Sequence, residues 1–114
     1  MSLWHPIHTA AQNGDIEALQ AELKKGVGVD CYPIPGYAWT PLICAAAEGK
    51  LEAAKFLIEH RATIDATNVY GATALHACSN GHAAIAALLL DNGADVNKCC
   101  NDGVTALIRA VVGN

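Results

Sequence analysis

At 114 residues, with 53% hydrophobic and 16% charged side chains, the chain is the size of one small domain and too apolar for a disordered or polyanion-binding class. Its net charge of −4, with seven Lys and Arg of which only Lys24 and Lys25 are adjacent, argues against nucleic acid as a partner, since phosphate binding draws on clustered cations. The longest apolar run, Ala83 to Leu90, is far short of the roughly 20 residues that cross a bilayer, so no membrane partner is expected.

The N-terminus shows no charged-then-apolar leader, and the five cysteines are odd in number without a CxxC spacing. Neither a disulfide framework nor a zinc site is indicated, and a soluble chain in a reducing compartment, cytoplasmic or nuclear, is expected. Alanine supplies 22 of the 60 hydrophobic residues, beside one Phe and one Met. Such an interior calls for thin helices held close together.

The chain repeats itself. HPIHTAAQNGDIEALQAELKKGVGVD begins at His5, TPLICAAAEGKLEAAKFLIEHRATID at Thr40, TALHACSNGHAAIAALLLDNGADVN at Thr73 and TALIRAVVGN at Thr105, the last three starts being 33 and 32 residues apart. The expected bounds within a single domain over residues 1–114 are 5–39, 40–72, 73–104 and a partial 105–114.

In the first copy a short helix ends at Gly14, and Ile16, Leu19 and Leu23 give a second helix its apolar spacing up to Gly26. In the second, Thr40 caps a helix whose first turn holds Pro41 and which Gly49 ends; Leu51, Ala54, Leu57 and Ile58 follow, with Arg61 at the closing place. The third runs from Thr73-Ala74 to Gly81, then through Ile85, Leu88, Leu89 and Leu90 to Gly93. The fourth opens on Thr105-Ala106 and reaches Asn114 after its first helix. Polar or extended segments connect the copies, with Gly71 and Gly103 marking tight turns. No helix pair buries its apolar face alone, so the copies must stack as a solenoid.

The TPLxxAAxxG starts, the Gly-Ala-Asp-Val-Asn close at Gly93 to Asn97 and the period of 33 residues make the chain resemble the ankyrin repeats over nearly its whole length. The resemblance implies an all-α solenoid of helix-turn-helix units joined by projecting β-turn fingers, with an L-shaped section and a concave side. Three departures stand out. Asp30 to Thr40 is two residues longer than Asp65 to Thr73, so the finger CYPIPGYAW has its own shape. Only eight positions, not nine, separate Thr73 from Gly81, which shortens the first helix of the third copy. Ile108, Val111 and Val112 lack a second helix to cover them. The chain is then a piece of a longer array, or a neighbouring molecule covers its end, so self-association through residues 105–114 is an expectation.

Catalysis is disfavoured. A nucleophile needs a base and an orienting group converging on one pocket, whereas His5, His8, His60, His76 and His82 fall at repeat positions. The resemblance gives the His76 place a structural role, hydrogen-bonding neighbouring fingers. His5 and His8 stand three apart on the first helix but have no third ligand, so no metal and no cofactor is expected. The adjacent thiols Cys99 and Cys100 have no cationic neighbour beyond Lys98, and Cys44 and Cys78 fall in Ala-rich helices as compact filler.

The aromatic residues carry the functional expectation. Only Phe56 joins the long-helix core pattern; Trp4 caps the first copy, while Tyr32, Tyr37, Trp39 and Tyr70 fall in the fingers and are expected to project. Aromatic rings with polar tips on a rigid surface anchor protein interfaces. By the resemblance, further contacts come from finger tips and first helices: Asn68, Val69 and Ala72; Asn101, Asp102 and Val104; Ala47, Glu48, Ser79 and Asn80. Asp65, Asp102 and Glu48 bias this surface toward a basic or mixed partner. Asn97 matches the repeat-closing Asn that an iron-dependent oxygenase hydroxylates in the family. The expected function is non-catalytic binding of another protein; the alternatives are a regulatory or inhibitory subunit of an enzyme, or a fragment of a larger multidomain protein.

Overall fold

Each first helix starts where one side chain closes on the turn that follows it. In the computed structural model, which describes residues 5–31, 39–78 and 81–98, α1 (Pro6–Asn13) is capped by His5, whose Nδ1 accepts from the Ile7 N–H at 3.2 Å. Thr40 Oγ1 does the same for α3 (Pro41–Ala47), accepting from Ile43 N at 3.2 Å. At α5 (Ala74–Ala77) the capping is reciprocal: Thr73 Oγ1 accepts from His76 N at 3.5 Å and His76 Nδ1 accepts from Thr73 N at 3.1 Å. Pro6 and Pro41 occupy the first turn, where a missing N–H costs nothing. α5 has four residues against seven in α3, in keeping with the shorter spacing before Gly81.

The helices end in one recurring geometry. After α1 and α3, Gly14 (φ 70°) and Gly49 (φ 71°) turn left-handed, and the next residue's N–H reaches back, Asp15 to Ala10 O and Lys50 to Ala45 O, both at 2.9 Å. The second helices α2 (Ile16–Lys24), α4 (Leu51–Glu59) and α6 (Ala83–Asp91) close likewise, with Val27 donating to Glu22 O, Ala62 to Leu57 O and Ala94 to Leu89 O. Gly26 and Gly93 hold the left-handed position of α2 and α6, each at φ 91°; in α4 Arg61 takes it, at φ 69°. Among the described residues Arg61 is the one non-glycine with positive φ.

Packing runs in two rows. α1, α3 and α5 stack side by side, and α2, α4 and α6 back them. Between the rows lies one continuous core in which Ala10, Ala11, Ala45, Ala46, Ala53, Ala54 and Ala74 are buried with Ile7, Leu19, Leu42, Ile43, Leu57, Ile85 and Leu89. Small side chains let the backbones approach. At the turns between paired helices a Cβ on Gly49 would lie 2.6 Å from the His82 ring, whereas one on Gly14 would lie 3.2 Å from Cδ of the flexible Lys50 side chain.

The fold is therefore helical, with no strand among the described residues. Three equivalent turns open the fingers, with Cys31 N–H donating to Gly28 O, Ala66 to Thr63 O and Lys98 to Asp95 O. Aspartates then tie one finger to the next: Asp30 accepts from Thr63, and Asp65 Oδ1 accepts from Asp95 N at 3.1 Å. This stapling fixes how successive fingers are spaced.

Candidate interaction surface

The second finger is built around Asn68. Its Oδ1 accepts from the N–H groups of Tyr70 (2.9 Å) and Ala72 (3.1 Å), its own N–H donates to Ala72 O, and its carbonyl accepts from Gly71. Gly71 supplies the positive φ, 76°, that the turn requires. This arrangement buries Asn68 and Ala72, each 8% exposed, and pushes Val69 (42%) and Tyr70 (67%) into solvent. The expectation that Asn68 and Ala72 are outward-facing tip residues is thus corrected: both turn inward, and Asn68 holds the loop that presents its neighbours. The signal was available in the sequence, since an Asn bonding two and four residues ahead is ordinary turn chemistry.

Trp39 also departs from expectation. It is half-buried and packed against the core, and its carbonyl accepts from His8 Nε2 at 2.7 Å across 31 residues. Because it closes a finger onto α3, its ring serves the scaffold instead of projecting. Glu48, the C-cap residue of α3, is exposed and Ala47 is half-buried. Asn97 is exposed, its N–H donating to Asp95 Oδ1 at 2.9 Å. Tyr32, Tyr37, Ser79, Asn80, Cys99, Cys100, Asn101, Asp102 and Val104 lie outside the described residues, as do Trp4 and the segment 105–114.

Among the described residues the titratable groups do not converge. His5 is the N-cap of α1, with its ring 6.4 Å from that of His8 and edge-on to it. His60 binds the Phe56 carbonyl through Nδ1 at 2.8 Å, and His76 closes on Thr73. Among the described residues no three His, Cys, Asp or Glu side chains gather as metal ligands. Burial pushes the Cys44 thiol up to about 12, with repulsion from Glu48 adding to it, and Cys78 to about 11. Thiols so held are protonated, unlike nucleophilic ones. A shallow groove of about 290 Å³ between Asn13-Gly14 and Gly49 to Ala53 is lined by turn backbone, Lys50 and Glu52. No described helix is long and apolar enough to cross a membrane.

Stacked helix pairs stapled through their fingers define a repeat solenoid, a class of scaffold whose fingers and first helices form one extended surface. The family model for ankyrin repeats (3 copies) matches residues 3–68 and 64–114, and the chain belongs to the ankyrin-repeat family. It is 32% identical over 111 residues to transient receptor potential cation channel subfamily A member 1 of Drosophila melanogaster, an alignment covering 92% of this chain and 9% of that one. It is 35% identical over 102 residues to human ankyrin repeat and SOCS box protein 3, covering 86% of this chain and 19% of the relative. To the mouse B-cell lymphoma 3 protein homolog it is 31% identical over 107 residues, covering 91% and 24%. The chain thus spans a quarter or less of the length of these relatives. Repeats of this family generally serve as protein-interaction modules.

Proposed function

We propose that the chain is a non-catalytic module that binds another protein through its concave side and fingers, with Tyr70 and Val69 as the described anchors. The observation that carries this reading is the exposure of those two side chains, 67% and 42%, on a turn that Asn68 already holds rigid. A preformed loop loses little entropy on binding, so the ring's buried area converts efficiently into affinity. Glu48 and Asp65 on the described surface favour a partner of basic or mixed charge. Tyr32 and Tyr37 as finger aromatics, and Asn80, Asn101 and Asp102 by family position, extend the same proposed surface.

The test is capture of binding partners by the native chain and by a Val69→Ala, Tyr70→Ala variant with matched circular dichroism. Loss of a saturable partner on the variant supports the reading; equal capture by both refutes the assigned anchors. Coverage of a quarter or less of each relative favours a second reading, in which this surface belongs to one segment of a longer repeat protein. A regulatory or inhibitory use of the surface is separated from passive scaffolding by assaying a captured enzyme with and without the chain. By family resemblance Asn97 is a hydroxylation site, supported by its exposure; a gain of one oxygen on its peptide after oxygenase treatment tests it.

A further inference from the structure

Two Asn-Gly pairs lie wholly within the described residues: Asn13-Gly14 closes α1 and Asn92-Gly93 follows α6. An asparagine before glycine can react with its own backbone, because the next main-chain nitrogen reaches the side-chain amide carbon and glycine places no Cβ in the way. Both pairs share the same main-chain closure. Gly14 N donates to Ala11 O at 3.2 Å and Asp15 N to Ala10 O at 2.9 Å, matched by Gly93 N to Leu90 O at 3.1 Å and Ala94 N to Leu89 O at 3.0 Å. Their surroundings differ. Asn13 is inside α1, Asp15 immediately caps α2 by accepting from Ala18 N, and the Lys50 side chain covers Gly14, with Cδ 3.2 Å from a Cβ placed there. Gly14 is therefore clamped between two helices. Asn92 stands beyond the last turn of α6, both it and Gly93 are exposed, and a Cβ on Gly93 would meet no described atom within 4 Å. The Asn92 side chain is held by Nδ2 donating to Leu88 O at 2.8 Å, on the exposed end of a helix, where opening costs least.

We propose that Asn92 is a self-modification site, converting spontaneously to aspartate and isoaspartate while the fold protects Asn13. Once the terminal turn frays, Gly93 N loses its proton to solvent base and attacks Asn92 Cγ; the N–Cγ bond forms, the Cγ–Nδ2 bond breaks and Nδ2 leaves as ammonia. Water then opens the cyclic imide. Attack at Cγ restores the main chain with an aspartate, whereas attack at the main-chain carbonyl carbon routes the chain through Cγ as isoaspartate; nothing is oxidised or reduced. Either product disturbs the end of the third repeat. A carboxylate cannot donate to Leu88 O, and it adds charge beside Asp91 at a helix C-terminus whose last turn holds no basic residue. Isoaspartate also lengthens the backbone by a methylene just before the Ala94-to-Leu89 closure, and so displaces the bond from Asp95 N to Asp65 Oδ1 that ties the third finger to the second.

The experiment incubates the full chain in mildly alkaline buffer, folded and in urea, and follows both pairs by peptide-mapping mass spectrometry, with an isoaspartate-specific methyltransferase scoring the second product. We expect the mass gain of NH2 replaced by OH at Asn92 to run several-fold ahead of that at Asn13 in the folded chain, and the two rates to converge in urea. Asn92→Gln keeps an amide but needs a larger, slower-closing ring, so it should abolish the gain at that position. Asn92→Asp, read by hydrogen exchange, should lower protection of the Ala94 and Asp95 amides while leaving α1 and α3 unchanged. Asn13 converting as fast as Asn92 in the folded chain, no conversion at Asn92 when the urea-unfolded chain converts, or a gain that survives Asn92→Gln would each overturn the proposal. Unchanged Ala94 and Asp95 protection in Asn92→Asp would overturn its structural consequence.

Discussion

Asp30 and Thr63 stand 33 residues apart and are joined by two hydrogen bonds, from Thr63 N to Oδ1 at 2.9 Å and from Thr63 Oγ1 to Oδ2 at 2.6 Å. One repeat later Asp65 makes a single bond of this kind, to Asp95 N at 3.1 Å. Removing the acceptor leaves the partner N–H to solvent, so the loss is that of an ordinary partly exposed bond. Asp30→Ala should lower stability by about 1 kcal/mol, and Asp65→Ala by less. Urea unfolding monitored by circular dichroism measures both, and a larger effect at Asp65 would show that bond count does not govern the staple.

Arg61 carries a glycine's conformation at the end of α4, φ 69°, with its side chain exposed. The left-handed region crowds its Cβ against the backbone, and no packing gain offsets that crowding. Arg61→Gly should therefore stabilise the chain by about 1 kcal/mol, whereas Gly93→Ala, at φ 91°, should destabilise it by a similar amount. Thermal melts of the two variants should shift in opposite directions.

These ends were legible beforehand because helix closure is local chemistry: Gly14, Gly26, Gly49, Gly81 and Gly93 mark positive φ, and phase alone placed Arg61 among them. The caps Thr40 and Thr73 and the shortened α5 were legible for the same reason. Finger side chains were legible only in part. Trp39 and Tyr70 both lie in fingers, yet one packs on the core while an internal Asn68 loop turns the other to water. Residue type and phase do not say that the Trp39 ring meets the core, whereas the local Asn68 turn was open to reading. The two-residue-longer first finger removed the remaining guide, which was register.

Gly49 and Gly81 are both left-handed, at φ 71° and 105°, but differ in surroundings. An added Cβ at Gly81 meets nothing within 4 Å, whereas at Gly49 it falls 2.6 Å from the His82 ring. Gly81→Ala should show backbone strain alone, about 1 kcal/mol, and Gly49→Ala roughly 1 kcal/mol more from the displaced imidazole. A Gly49→Ala, His82→Ala double variant should recover that excess. Failure to recover it in chemical denaturation would mean that the ring moves aside freely.

The two finger aromatics should separate stability from binding. Trp39 packs on the core and closes a finger, so truncating it removes buried contacts as well as surface; Trp39→Ala should lower stability by about 2 kcal/mol. Tyr70, 67% exposed, makes its described hydrogen bond through its backbone N–H, which alanine retains. Tyr70→Ala should leave the unfolding midpoint almost unchanged while weakening partner binding by on the order of 1 to 3 kcal/mol. Paired melts and titrations with a captured partner measure both quantities. If Tyr70→Ala instead unfolds the second finger, with Asn68 and Ala72 amides losing protection, the ring is part of the turn and cannot serve as a free anchor.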